Sequence, residues 1–191
     1  MNEVEDAARA ALRVRQGGGA RYDAPSAPAG DLALARRGTA YFARLLNDLS
    51  DADLWFPSAR TGWTRRHLIA HVGYHARALA RVVEGARTGE PQPLYLSDAA
   101  RAAEIALGAT LPARALRHLV QHAAIHLNVE WRDLTDADWR KILPDGAGGT
   151  IAVARTPWLR AHEVWSAALD LGSGGRLRDV PSDLRSDMAA R

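Results

Sequence analysis

Trp63-Thr64-Arg65-Arg66-His67-Leu68-Ile69-Ala70-His71-Val72-Gly73-Tyr74-His75 is the stretch that decides the fold. Thr64 offers a hydroxyl where a helix can begin, and the apolar residues after it recur at the three-and-four spacing of one helical face. The spacing predicts a helix from Thr64 to about Arg87, with Gly89 and Pro91 as stop signals. At about 100° per residue, Val72, Leu79 and His75 fall within about 40° of Leu68, and His71 about 60° away. Two imidazoles one turn apart therefore belong on or beside the buried stripe, while His67 sits further round.

Three more long helices and one short one follow from the same kind of reading. Upstream, Leu32, Leu34, Tyr41, Phe42, Leu45, Leu46 and Leu49 mark a first long helix, with Asp31 as its expected N-cap. Downstream, Ser97 opens a short helix that ends at Gly108. Pro112 opens a long one whose stripe runs through Leu116, Val120, Ala123, Leu127 and Trp131. A glycine-rich turn (Gly146, Gly148, Gly149) beside the β-branched run Thr150 to Val153 predicts a small hairpin, and Pro157 then opens a last helix to Leu171. Asp48-Leu49-Ser50-Asp51-Ala52-Asp53 is echoed by Asp133-Leu134-Thr135-Asp136-Ala137-Asp138. Trp63-Thr64-Arg65-Arg66-His67 is echoed by Trp158-Leu159-Arg160-Ala161-His162. The fold expected is all-α: two helical hairpins forming a four-helix bundle with long connections. Residues 1–28, with three consecutive glycines, read as a flexible leader carrying at most a short helix near Ala7–Val14; residues 29–172 form the bundle domain.

Composition narrows the function. In 191 residues no apolar run approaches the ~20 that a spanning helix needs, and the acidic start lacks the pattern of a signal peptide. Twenty-five basic against 22 acidic residues, interspersed, leave a formal charge of only +3, so no basic stripe marks a nucleic-acid face. A cytoplasmic protein without membrane or nucleic-acid partners is expected. The chain has no Cys, so any thiol chemistry uses an imported thiol.

Six of the seven histidines form two ladders at spacing four: His67, His71, His75 and His118, His122, His126. An inward pair in a bundle core is where such folds build metal sites, which makes His71 and His75 the leading candidates. His122 and His126 only flank their stripe, and His118 points to solvent. A carboxylate from the last helix would complete the set. On periodicity alone, Glu163 lies about 120–160° from Trp165 and Leu169, on the solvent side.

The string Gly62 to Val72 resembles the signature of mycothiol-dependent maleylpyruvate isomerases, within the DinB-like bundle superfamily. So do Thr88-Gly89-Glu90, Leu94-Tyr95-Leu96-Ser97, Glu104-Ile105, Arg160-Ala161-His162-Glu163-Val164-Trp165 and Leu169-Asp170-Leu171-Gly172, in order and spacing. The resemblance implies a zinc-type divalent metal held by a His of the second long helix, matched by His71, and by a Glu and a His four residues apart on the last. Glu163 matches that Glu, and Ala167 stands where the His is expected. His75 or His162 would then have to substitute, His75 with the better geometry. The resemblance also implies mycothiol as external thiol, a small diacid substrate, conversion of maleylpyruvate to fumarylpyruvate by thiol addition, rotation and elimination, and an additional C-terminal α/β domain of which residues 173–191 look like the start. One of Arg65, Arg66 and Arg77, on the helix of His71, could steer the diacid, but in a chain with 24 Arg each reads first as a solvated surface residue, and none is assigned a catalytic role. The alternative is a thiol- or metal-binding bundle of the same superfamily that detoxifies electrophiles or has lost catalysis.

Overall fold

The structure, a computed structural model, describes residues 22–145 and 148–189. The short helix expected near Ala7–Val14 and the turn residue Gly146 lie outside them. Four long helices carry the fold: α1 (Ala29–Asn47), α2 (Arg65–Thr88), α4 (Ala113–Asp133) and α6 (Thr156–Asp170). Shorter pieces fill the connections: α3 (Asp98–Gly108), α5 (Asp136–Trp139), and strands β1 (Ile142–Pro144) and β2 (Thr150–Ala152), which pair antiparallel as the expected hairpin. The helix α7 (Ser182–Ala189) closes the described chain.

Local chemistry sets the ends. Thr64 precedes α2, and its hydroxyl lies 2.8 Å from His67 Nδ1, so His67 serves the helix start. Gly89 ends α2 with φ +84°, the left-handed conformation only glycine adopts cheaply. Ser97 Oγ accepts from Ala100 N at 3.0 Å to cap α3, and Pro157 stands in the first turn of α6. Asp31 lies inside the first turn of α1 rather than capping it; its charge faces the positive end of the helix dipole.

The bundle is assembled differently from the expected hairpins. The helix α1 packs mainly on α6, and α2 mainly on α4, with α2 and α6 joining the two pairs. The connections after α1, α2 and α4 are all long, so chain neighbours are not forced together and side-chain fit decides. At Gly38 a Cβ would lie 2.5 Å from Val164 Cγ2, and at Gly73 one would lie 2.6 Å from Leu119 Cγ, so both pairs meet at a glycine. One core unites all four helices, with Leu32, Phe42, Leu68, Leu79, Leu116 and Leu127 fully enclosed.

Both ends of the described chain pack on the bundle. Residues 22–28, read from sequence as part of the leader, are tied to the bundle. Arg36 donates twice to Asp23 at 2.7 Å, Ser26 bonds Asp136 at 2.7 Å, and Ala24 and Ala27 pack on the core. At the other end, Val180 and Leu184 are buried against the core and Tyr41 donates to Asp179 at 2.7 Å. No helix among the described residues is long and apolar enough to cross a membrane.

Candidate functional site

Arg65 fixes the relative height of α2 and α6. From the first turn of α2 it donates to Leu171 O at 2.9 Å and Gly172 O at 2.8 Å, at the C-terminal end of α6, so the two helices run antiparallel. His71 lies six residues from Arg65 and Glu163 eight from Leu171, about 9 and 12 Å along the axes at 1.5 Å per residue. His75 and Arg160, one turn deeper on their helices, share the next level by the same arithmetic. Arg65, a candidate for steering substrate, is therefore a structural clamp. Arg66 has a comparable job: it is buried, stacks on Trp55 at 4.1 Å and donates to Ala109 O and Leu111 O. Arg77 is exposed and lies over Tyr74.

The two predicted ligands meet. His71 Nε2 stands 2.7 Å from Glu163 Oε1, with the imidazole 1% and the carboxylate 17% exposed. Trp63 covers His71 edge-on at 5.4 Å between ring centroids. Arg60 lies 3.7 Å from Glu163 and 4.6 Å over the Trp63 ring. Burial works against ionisation of Glu163, but the His71 hydrogen bond and the neighbouring His75, His71 and Arg60 outweigh it and hold the carboxyl well below its ordinary range. Glu163 is thus a carboxylate facing inward, not the solvated residue that periodicity predicts. The reason is that α6 is buried on two sides: Trp165 faces α1, stacking on Tyr41 at 4.9 Å and bonding Leu34 O, while Arg160, Glu163 and Ala167 share the face toward α2.

His75 is also inward, 6.2 Å from His71 between ring centroids, and burial, assisted by Arg160, His71 and Arg101 and opposed by Glu163, pushes it down to about 3. It is a neutral imidazole at physiological pH. Its Nδ1 lies 3.5 Å from Arg160 Nη1. His162 stacks on Trp158 at 5.3 Å, away from the pair. His118 and His122 stack on each other on the exposed face of α4, and His126 pairs with Glu130 at 3.4 Å. Ala167 is fully buried. Among the described residues no group of three His, Cys, Asp or Glu side chains converges as a metal site needs.

The residues that sequence reasoning missed are cationic or phenolic. Arg160 is 1% exposed; its Nη1 donates to Val72 O at 2.8 Å, and its Nε and Nη2 have no partner. Burial pushes the guanidinium down to about 10, still charged at neutral pH. Arg101, 4.5 Å over the Tyr95 ring, has a buried Nε without a partner, and Tyr95 a buried hydroxyl without one. The available signal was position: Arg160 stands three residues before Glu163 on a helix, hence on its face.

The family described as the mycothiol maleylpyruvate isomerase N-terminal domain matches residues 35–172. Two solved structures are similar at TM-score 0.78 over 84% of this chain and 67% of theirs. One is a mycothiol-dependent maleylpyruvate isomerase at 40% identity, the other a histidine-to-alanine mutant of a mycothiol-dependent maleylpyruvate isomerase at 39%. The chain therefore spans about two thirds of the length of those structures. No curated protein matches it significantly. With most of its length and its bundle architecture matched, the chain belongs to the mycothiol maleylpyruvate isomerase N-terminal domain family.

Proposed function

We propose that this protein is a cytoplasmic enzyme that isomerises maleylpyruvate to fumarylpyruvate with mycothiol as an external thiol. The observation that carries the reading is the His71–Glu163 contact at 2.7 Å, formed between helices of a bundle similar to isomerase structures at 39% and 40% identity. Rotation about a carbon–carbon double bond requires that its π bond be opened. A thiolate adds to one alkene carbon, the electron pair moves onto the conjugated carbonyl, the resulting single bond rotates, and the enolate expels the thiolate to leave the trans alkene. The chain has no Cys, so the sulfur comes from outside.

His71 and Glu163 supply the proton handling. With the carboxylate ionised, His71 Nε2–H donates to it, and an imidazolium formed when the thiol gives up its proton is stabilised at 2.7 Å. Trp63 shields the pair from water, which strengthens that attraction. The three-residue zinc set implied by the resemblance does not fit the side chains present: His71 and Glu163 are two donors, Ala167 is a methyl group at the third position, and His75 faces the Arg160 guanidinium. A metal on the remaining pair is decided by elemental analysis, where stoichiometric zinc lost in His71→Ala would reinstate it.

The test is turnover of maleylpyruvate by the purified chain with and without mycothiol. Thiol-dependent isomerisation, reduced at least 100-fold in His71→Ala and Glu163→Gln, is expected. A rate equal to that of mycothiol alone would overturn the reading.

A further inference from the structure

Four of the buried polar atoms without partners belong to three side chains around the His71–Glu163 pair: Arg160 Nε, Arg160 Nη2, Arg101 Nε and the Tyr95 hydroxyl. All four can donate. Tyr95 and Arg101 lie within electrostatic range of His75, Glu163 or both. A buried guanidinium whose N–H groups stay unmatched costs several kcal/mol, so such a group normally faces an anion. Among the described residues no carboxylate is in ion-pair contact with Arg160.

The free edge of Arg160 has a definite geometry. Val72 O takes Nη1, which leaves the Nε–Nη2 edge, two parallel N–H groups spaced to match the two oxygens of a carboxylate. A cavity of about 720 Å³ counts Arg160 among its lining residues, the others all coming from α1 and α4, and the guanidinium itself lies against His75. Along α6, Arg160 is three residues from Glu163, a rise of about 4.5 Å.

We propose that Arg160, with Arg101 and Tyr95 beside it, is a carboxylate-binding subsite that seats one end of the substrate one helical turn from the His71–Glu163 pair. The assignment rests on the isomerase reading for the substrate's identity, not for the binding itself. Arg160 is a positioning residue: it fixes which carbon faces the thiol and takes no part in proton transfer.

Maleate is the probe, titrated without thiol against the full chain by calorimetry, with its dimethyl ester as the neutral control. The protein holds no Cys to form an adduct with either. The chain is expected to bind maleate at least tenfold more tightly than the ester. Arg160→Lys is expected to weaken maleate at least tenfold and Arg101→Gln severalfold, while the exposed Arg114→Ala leaves it unchanged. If Arg160→Lys does not fold by circular dichroism, Arg101→Gln and Tyr95→Phe carry the test. In turnover the same variants are expected to raise KM more than they lower kcat. Absent maleate binding, equal binding of ester and diacid, or affinity indifferent to the Arg160 and Arg101 variants overturns the subsite. Arg160-dependent maleate binding without isomerisation sinks the enzymatic reading and leaves the subsite; isomerisation with unchanged KM in Arg160→Lys does the reverse.

Discussion

His75 is a base kept neutral by its surroundings. Its folded pKa of about 3 lies below the ordinary 6.5, set first by burial, with Arg160, His71 and Arg101 adding to it and Glu163 opposing. The unfolded chain therefore binds the extra proton between those values, and stability rises with pH across that window. The contribution is full above about pH 6.5 and is lost as pH falls toward 3. By linkage, this one residue costs about 2 kcal/mol of stability on going from pH 7 to pH 5. Urea denaturation at the two pH values should show that loss in the parent chain and a smaller one, by about that amount, in His75→Leu; equal losses would mean that His75 is not buried neutral. The inward position of His71 and His75 was legible because apolar neighbours on both sides fix the face of α2. Arg160 was not, and Glu163 was legible only through the family resemblance, not through periodicity. A single-stripe reading gives a helix one buried side, and α6 has two, so the polar residues on its second buried side look solvated until α2 is placed against it.

The echo between residues 48–53 and 133–138 proves to be one device used twice. Ser50 and Thr135 each accept from the backbone of the Asp three residues on and donate back to its carboxylate, at 2.6 Å in Ser50–Asp53 and 2.7 Å in Thr135–Asp138. In the second box Asp138 is buried and also anchors Lys141 at 2.7 Å, so Thr135→Ala is expected to cost about 1 kcal/mol, read as a fall in Tm of about 2–4 °C. Such caps depend on two residues and their spacing, which is why most element ends could be placed from sequence. Helix pairing could not, because it depends on where backbones approach. The glycines of α1 show the difference. A methyl at Gly30 meets nothing within 4 Å, whereas one at Gly38 lies 2.5 Å from Val164 Cγ2 and 2.7 Å from Trp165 Nε1, which is pinned to Leu34 O. Gly30→Ala is therefore expected to stabilise by up to about 1 kcal/mol, and Gly38→Ala to destabilise by about 1–3 kcal/mol despite the same gain in helix propensity. Thermal melts of the two variants decide; shifts of the same sign would show that α1 and α6 are not in contact at Gly38.

At the scale of the whole molecule, the sequence carried the element types and one continuous core, since both follow from apolar periodicity. It did not carry the way the outer segments lock the bundle. Asp23 and Ser26 sit among small residues with no periodicity, and their partners Arg36 and Asp136 are respectively 13 and 110 positions away. Nothing local marks those bonds. They nevertheless tie residues 22–28 both to α1 and to the start of α5, and so span the α1–α6 pair and the connection that follows α4. The Arg36–Asp23 fork is bidentate but partly exposed, so it is worth about 1 kcal/mol at most, and the Ser26–Asp136 bonds with the packing of Ala24 and Ala27 add a comparable amount. A chain begun at Ala29 should then melt about 3–6 °C below one begun at Tyr22. High salt should narrow that gap by weakening the exposed ion pair while leaving the packing share intact. Coincident melts of the two truncated chains would show that residues 22–28 do not hold the bundle, and a gap abolished by salt would assign all of the effect to the Arg36–Asp23 fork.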